Sequence, residues 1–517
     1  MDRFDLAIIG GGVNGCGIAR DAAGRGLSVL LAEAGDLAGA TSSASTKLIH
    51  GGLRYLEYWE FRLVAESLAE REVLLRTAPH LVWPLEFVLP HESHLRPAWM
   101  IRTGLFLYDH LGGRTSLPRS RNVTLDPGGY GSGLKPEFSR GFCYFDCWVD
   151  DARLVIANAR SAQEHGARIL TRTRCTSARR RDGEWHIELT DVETGRSTEI
   201  SARVLVNAAG PWVKGFLEHE AGIRSPGQVR LVKGSHIVVP AIHERRHAFI
   251  LQNPDRRIVF LIPYQRDFTL IGTTDVPVDE GALMQGREPR ASAEEIGYLC
   301  EAASRYTRVP VEPSQVRWSY SGVRALYDDG SPNPSAVTRD YHLLLDRASD
   351  GRGAPVLSVF GGKITTYRRL AEHVMQELVP WFGSTRRWTE TEALPGGDFH
   401  RGSASCFEEL LQASCERYPQ IPDLLLARLA RRHGTLVDAL LGAARTEADL
   451  GECFGGGLYE IEASWMIAHE WARSPDDILW RRTKCGLLMS EQEKQRFGEW
   501  FGTALRTADS QGTRANS

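Results

Sequence analysis

Two hydrophobic periods alternate along this chain. Residues 4–9, Phe-Asp-Leu-Ala-Ile-Ile, form an apolar run too short for a helix. Glycines follow at 10, 11, 12 and 15. Small and apolar residues then recur at helical spacing from 13 to 25, and a second apolar run, 28–32, ends at Glu33. The pattern predicts strand, turn, helix, strand, acid. Helical spacing returns over 59–77 and stops before Pro79, and again from Asp150 to about Gly166. Strands are predicted at 173–179 and 185–190 around Asp182-Gly183, and at 203–207 before the small-residue turn 208–212. Strand patterns dominate 231–274, with a hairpin joining 257–263 to 268–272. A further strand, 356–360, runs into Gly361-Gly362 and a helix. Past residue 395 the pattern is helical, and Ser474-Pro475 reads as an N-cap with proline at the first helical position.

The glycine turn carries the first chemistry. Gly10, Gly12 and Gly15 make G-x-G-x-x-G between a strand and a helix, with Asn14 inside it. Such glycines permit the tight turn, close approach of backbone to a pyrophosphate, and close helix–strand packing. The helix N-terminus offers free N–H groups to phosphate. Glu33 stands where an acid takes a ribose hydroxyl, which disfavours a 2′-phosphate. The fold class expected is α/β: a Rossmann-like dinucleotide-binding domain, an antiparallel-sheet substrate domain and a helical C-terminal domain. The dinucleotide domain is assigned to segments 1–80, 141–220 and 336–394. Residues 81–140 form a substrate or membrane-associating segment, 221–335 the substrate domain, and 395–517 the helical cap.

Composition narrows the function classes. The 517 residues are 42% hydrophobic and 25% charged, with a net charge of −3, so no general attraction to nucleic acid is expected. Nine cysteines are scattered without C-x-x-C spacing, which argues for reduced thiols in the cytoplasm and against a zinc site. The first strand begins almost at Met1, so no signal peptide is expected, and no apolar stretch is long enough to span a bilayer. Residues 97–111 are apolar nearly all round, with Trp99, Met100, Phe106 and Leu107 among them, and Arg96, Arg102, Arg114, Arg119 and Arg121 in or near the stretch. Two readings stand: a buried core helix, or a helix lying in a membrane interface.

The glycine turn with Glu33, the block 40–56, residues 207–212 and Gly361 to Thr366 together resemble the D-amino-acid-oxidase-like FAD enzymes. Within that group the chain is similar to the FAD-dependent sn-glycerol-3-phosphate dehydrogenases of aerobic bacteria. Residues 94–100, 146–153, 233–240, 319–324 and 480–484 carry the likeness nearly end to end. The resemblance implies non-covalent FAD, held by Gly10, Gly12, Asn14, Gly15, Glu33, Thr41, Ser42, Ser43, Lys47, His50, Gly210, Trp212, Gly362, Lys363 and Thr365. It implies oxidation of sn-glycerol 3-phosphate to dihydroxyacetone phosphate, with electrons passed to membrane quinone at the inner face of the cytoplasmic membrane. Oxidising a secondary alcohol needs a hydride acceptor and a base. His236 is the first choice of base and His50 the second. Arg54, Tyr55, Lys233 and Arg339 are expected around the phosphate, because a dianion asks for several cations. Arg324 is expected at the C2 oxygen, where a cation stabilises developing alkoxide. An amine or amino-acid oxidase of the same fold, a silent FAD scaffold at the membrane, and a homodimer remain open.

Overall fold

The computed structural model describes every residue except 93–95, 226, 256, 285–287, 329–339, 348–352, 400–405 and 511–517. Strand β1 (Asp2–Ile9), helix α1 (Val13–Gly24) and strand β2 (Val29–Ala32) form at the chain start. They belong to an eight-stranded sheet. Its order runs from His342–Asp346 through Val356–Phe360, Ser197–Asn207, β1 and β2 to Arg168–Leu170. The central pairings are parallel, and both faces are covered, so these strands are continuously apolar. The hairpin Thr173–Arg181 and Glu184–Asp191 joins the sheet antiparallel, against Ser197–Asn207. Helix Asp151–Glu164 packs on α1, its first turn capped by Asp150, whose carboxylate accepts the Arg153 N–H.

The second sheet has ten strands, with Val229–Pro240 between Phe268–Gly272 and Trp318–Tyr327. It is antiparallel except where Ala248 and Phe249 run parallel to Phe87 and Val88. Two of its long strands, Val82–Pro90 and Arg140–Val149, were not anticipated from periodicity. Pro84 and Pro90 mask the first. Pro84 is tolerated because the parallel neighbour reaches only Phe87 and Val88, so its missing N–H interrupts no ladder on that side. Arg140–Val149 therefore lies in the substrate sheet, and the second dinucleotide segment begins near residue 150, not 141.

The cap is tied to the dinucleotide domain by buried ion pairs. Arg482 pairs with Asp36 and Arg153 with Glu470, while Lys484 Nζ lies 2.6 Å from Asp150 and Arg172 3.0 Å from Asp477. Ser474 caps as expected: its hydroxyl accepts the Asp477 N–H at 3.3 Å, and the Asp477 carboxylate accepts the Ser474 N–H at 3.0 Å. The turns that follow, Asp477–Arg482, are wider than α.

Candidate active site

The carboxyl ends of four parallel strands converge: Ile9, Ala32, Asn207 and Phe360 are followed by Gly10, Glu33, Ala208 and Gly361. This is the crevice in which open α/β sheets bind ligands. Gly10 has φ +114°, and a Cβ there would meet the Ala208 carbonyl at 2.4 Å. At Gly15 it would meet the Gly10 carbonyl at 1.9 Å, whereas at Gly12 only the Ser42 hydroxyl lies near, at 3.1 Å. Gly12 thus faces open space above the turn. Ser42 accepts the Val13 N–H at 3.0 Å and so caps α1. Glu33 accepts from the Gly11 N–H at 2.6 Å and the Gly35 N–H at 2.7 Å. Burial pushes its carboxyl upward, opposed by those two donors.

The second glycine turn closes on the first. Asn14 Nδ2 donates to the Gly361 carbonyl at 3.2 Å. Gly361 and Gly362 have φ of +74° and +99°, values that favour glycine. Thr365, buried, accepts the His50 N–H at 3.3 Å, and Lys363 Nζ sits 3.8 Å over the Tyr55 ring. Gly210, at φ +57°, turns the chain beside this crevice into Trp212, whose ring stays partly exposed.

The substrate sheet supplies the opposite wall. In the antiparallel pair Val229–Pro240 and Trp318–Tyr327, His236 faces Tyr320 and Val232 faces Arg324. Alternation along the strand puts His236, Tyr320 and Arg324 on one face. His236 Nε2 lies 3.0 Å from Thr46 Oγ1, and its ring stacks on Tyr320 at 4.9 Å. Burial, then the Lys47 and Arg324 charges, hold the imidazole well below its ordinary pKa, so it is neutral. Tyr320 donates to the Ser45 carbonyl at 2.9 Å and Thr41 to the Val323 carbonyl at 2.7 Å, stitching the 41–47 loop to this wall. Arg324 pairs with Asp275 and donates to Thr273 at 3.3 Å.

Several expected ligands are placed otherwise. Lys233 lies one residue out of phase with His236 and points to the other face of the sheet. There it pairs with Glu295 at 2.8 Å and donates to the Arg290 carbonyl at 2.9 Å. It does not share the face that carries His236 and Arg324. Lys47 is buried, with its ammonium 2.7 Å from Asp151 and 2.5 Å from the Ser43 carbonyl. Its charge is committed to packing the loop rather than presented to the cofactor crevice. The Ser43 hydroxyl donates to the Ala40 carbonyl at 3.3 Å, back onto its own turn. Arg339 lies outside the described residues. Thr46, Tyr320, Asp151 and Thr273 were not singled out from the sequence. Asp151 stood there as part of a helix start, and nothing local pairs it with Lys47.

Among the described residues, Asn14 Oδ1, Arg54 Nε and His236 Nδ1 are buried in this region without a hydrogen-bond partner. Buried orphans of this kind call for a ligand. With the open cradle above Gly12, they fit a dinucleotide and a polar substrate.

A family model described as FAD dependent oxidoreductase matches residues 5–368. The chain belongs to that family. A second model, the C-terminal domain of alpha-glycerophosphate oxidase, matches residues 387–502 of this FAD-dependent oxidoreductase. The aerobic glycerol-3-phosphate dehydrogenase of Escherichia coli (strain K12) is 52% identical over 505 residues, 97% of this chain and 98% of that protein. The D-erythritol 1-phosphate dehydrogenase of Brucella abortus (strain 2308) is 48% identical over 506 residues, with 97% and 98% covered. The glycerol-3-phosphate dehydrogenase of Bacillus halodurans, solved in complex with FAD, superposes with TM-score 0.70 at 25% identity, covering 98% of this chain and 95% of that one.

Proposed function

We propose that this FAD-dependent oxidoreductase converts sn-glycerol 3-phosphate to dihydroxyacetone phosphate. The observation that carries the reading is the shared face of the substrate sheet. It sets a neutral imidazole, His236, on the same face as the Arg324 guanidinium and beside Tyr320, which packs against the same apolar cluster as Tyr55, next to Arg54 in the chain. FAD, when bound, would supply the hydride acceptor, with membrane quinone as the final electron acceptor in this reading. The Gly10–Gly15 turn, Glu33 and the Gly361–Thr365 turn would hold that cofactor, without a covalent bond. His236 takes the C2 hydroxyl proton, with His50 the second choice; its unprotonated ring keeps a lone pair that can accept it. Arg324 stabilises the developing alkoxide, since its positive charge is already fixed in place by Asp275. Arg54 and Tyr55 bind the phosphate, joined by Arg339. The Lys363 ammonium, beside Tyr55, adds charge to the same end.

The exposed face of helix Ala98–Leu111 meets lipid. Trp99 is 70% exposed, Phe106 58%, Met100 45% and Leu107 37%, while Ile101, Leu105 and Tyr108 are buried. A wholly buried core helix is therefore excluded. Tyr58 and Trp59 add apolar surface on an element packed against this helix, and Arg114 and Arg119 remain exposed beyond its end. Aromatics beside arginines suit the headgroup boundary of anionic lipid. Among the described residues no helix is long and apolar enough to cross a membrane.

Anaerobic addition of sn-glycerol 3-phosphate to the yellow holoenzyme tests the reading by bleaching of the flavin band. D-erythritol 1-phosphate is the necessary comparison, because a relative named for that substrate is nearly as similar. Stronger bleaching with erythritol phosphate shifts the substrate within the alditol phosphates. Bleaching with an amino acid and with neither phosphate refutes the proposal. Acid precipitation releases the flavin to the supernatant if it is non-covalent.

A further inference from the structure

The buried face of helix Ala98–Leu111 ends in a polar contact. Tyr108 is 3% exposed, and its hydroxyl donates to the Asp146 carboxylate, 2.8 Å from one oxygen and 2.9 Å from the other. The Tyr108 hydroxyl oxygen accepts the Gly51 N–H at 2.8 Å. A phenol has one proton to give and lone pairs to receive, so both bonds form together. Asp146 is anchored in turn by Arg71, 3.0 Å away, which also donates to the Phe145 carbonyl at 3.0 Å and to Thr115 at 3.1 Å. Arg71 and Asp146 are buried too, so the Tyr108 hydroxyl is held by a charge-assisted network.

Gly51 is where this network meets the site. A Cβ there would lie 2.6 Å from Leu68 Cδ2 and 2.8 Å from the Tyr108 oxygen, so the backbone approaches as closely as a glycine allows. On one side His50 is held by Thr365, at the turn that cradles the cofactor. On the other, Gly52 at φ +81° turns the chain into Leu53–Tyr58, which carries Arg54 and Tyr55. The loop between cofactor and substrate is thus gripped at two neighbouring amides.

We infer that Tyr108 is a positioning residue for the substrate site: its hydroxyl, fixed by Asp146, sets the chain path from His50 to Tyr55 and so places Arg54 and Tyr55. Its hydroxyl is taken up by Asp146 and Gly51, so it acts through the loop. The inference rests on the reading of Arg54 and Tyr55 as phosphate contacts, and it makes the helix that carries the lipid-facing side chains part of the active-site scaffold.

The test uses the full-length, FAD-loaded enzyme. Tyr108→Phe keeps the ring in its apolar cluster and removes only the hydroxyl. Removing the 2.8 Å acceptor of the Gly51 N–H, an amide that also feels the neighbouring Asp146 carboxylate, should raise KM for sn-glycerol 3-phosphate about tenfold. The change in kcat should stay within about twofold, because no group that meets the transition state is altered, and FAD content should be unchanged. Leu105→Ala, on the same buried face one turn earlier, lowers the thermal midpoint but leaves KM at the wild-type value. Hydrogen exchange without substrate gives a readout independent of turnover. The peptide spanning residues 48–58 loses protection in Tyr108→Phe and keeps it in Leu105→Ala. Unchanged KM and exchange in Tyr108→Phe, or an equal KM rise in Leu105→Ala, overturns the inference. A wild-type enzyme that does not oxidise the ester strikes instead at the proposed function, and the exchange measurement still decides whether Tyr108 holds the loop.

Discussion

Lys47→Met separates a packing role from a cofactor role. Lys47 and Asp151 are 1% and 0% exposed, and one Asp151 oxygen accepts from Lys47 Nζ at 2.7 Å, the Ser45 hydroxyl at 2.7 Å and the Ser45 N–H at 3.2 Å. The other oxygen takes the Ala152 N–H at 2.8 Å. Lys47 Nζ also lies 4.6 Å over the Tyr320 ring. Removing the ammonium leaves a buried carboxylate with hydrogen bonds but no counter-charge, which costs about 3–5 kcal/mol. Unfolding entropy of ~2.1 cal/mol/K per residue amounts to ~1.1 kcal/mol/K over the 517-residue chain. The thermal midpoint should therefore fall by about 3–5 °C, with and without added FAD. Asp151→Asn should cost about as much, because it strands the lysine. Lys47→Met with Asp151→Asn should recover part of the loss, since neither charge is then left alone. Differential scanning of the three variants, with the flavin-to-protein absorbance ratio, reads all of this. FAD release in Lys47→Met with an unchanged apo midpoint, not mirrored by Asp151→Asn, would show that Lys47 binds the cofactor and refute the reasoning.

Three further outcomes are expected. Arg54→Ala should raise KM for sn-glycerol 3-phosphate by roughly 1.5–3 kcal/mol of lost charged hydrogen bonding, while Arg324→Ala should mainly lower kcat; steady-state kinetics showing equal effects of both on KM alone would contradict these roles. Replacing Trp99, Phe106 and Leu107 with serine should abolish sedimentation with anionic vesicles while keeping the thermal midpoint and dye-linked activity, because these side chains are exposed; retained sedimentation would move the lipid surface elsewhere. His243 and His247, stacked at 4.8 Å, are both pushed down to about 4, chiefly by burial. Between the ordinary histidine value of about 6.5 and 4, the unfolded chain binds protons that the folded protein refuses, so they remove stability as pH falls, by up to ~1.4 kcal/mol per pH unit each. Urea midpoints from pH 7 to 5 should decline more steeply for the wild type than for His243→Phe with His247→Phe, and parallel curves would count against this account.

The sequence by itself determined the first βαβ unit, because strand, glycine turn, helix and acid are contiguous and each follows from local backbone physics. Gly10, Gly12, Gly15 and Glu33 needed no partner from elsewhere in the chain to be recognised. The same holds for Gly361-Gly362, the cap at Ser474, the helix start at Asp150, and the hairpin 257–272, where turn chemistry and periodicity agree. Only the tertiary structure decided what distant residues do. Lys233 and His236 sit in one motif three positions apart. The period of two along a strand sends them to opposite faces, and which face met Thr46 and Tyr320 depended on pairing with Trp318–Tyr327. Lys47 looked like one more hydroxyl-loop ligand until folding brought it against Asp151, a partner no local spacing reveals. Helix Ala98–Leu111 allowed burial or exposure on composition alone. Packing of Ile101, Leu105 and Tyr108 against the substrate domain settled which face stays outside, and joined its Tyr108 to Gly51. Side chains separated by tens to hundreds of residues acquire their environment, and with it their charge state and role, only when the sheets close over them.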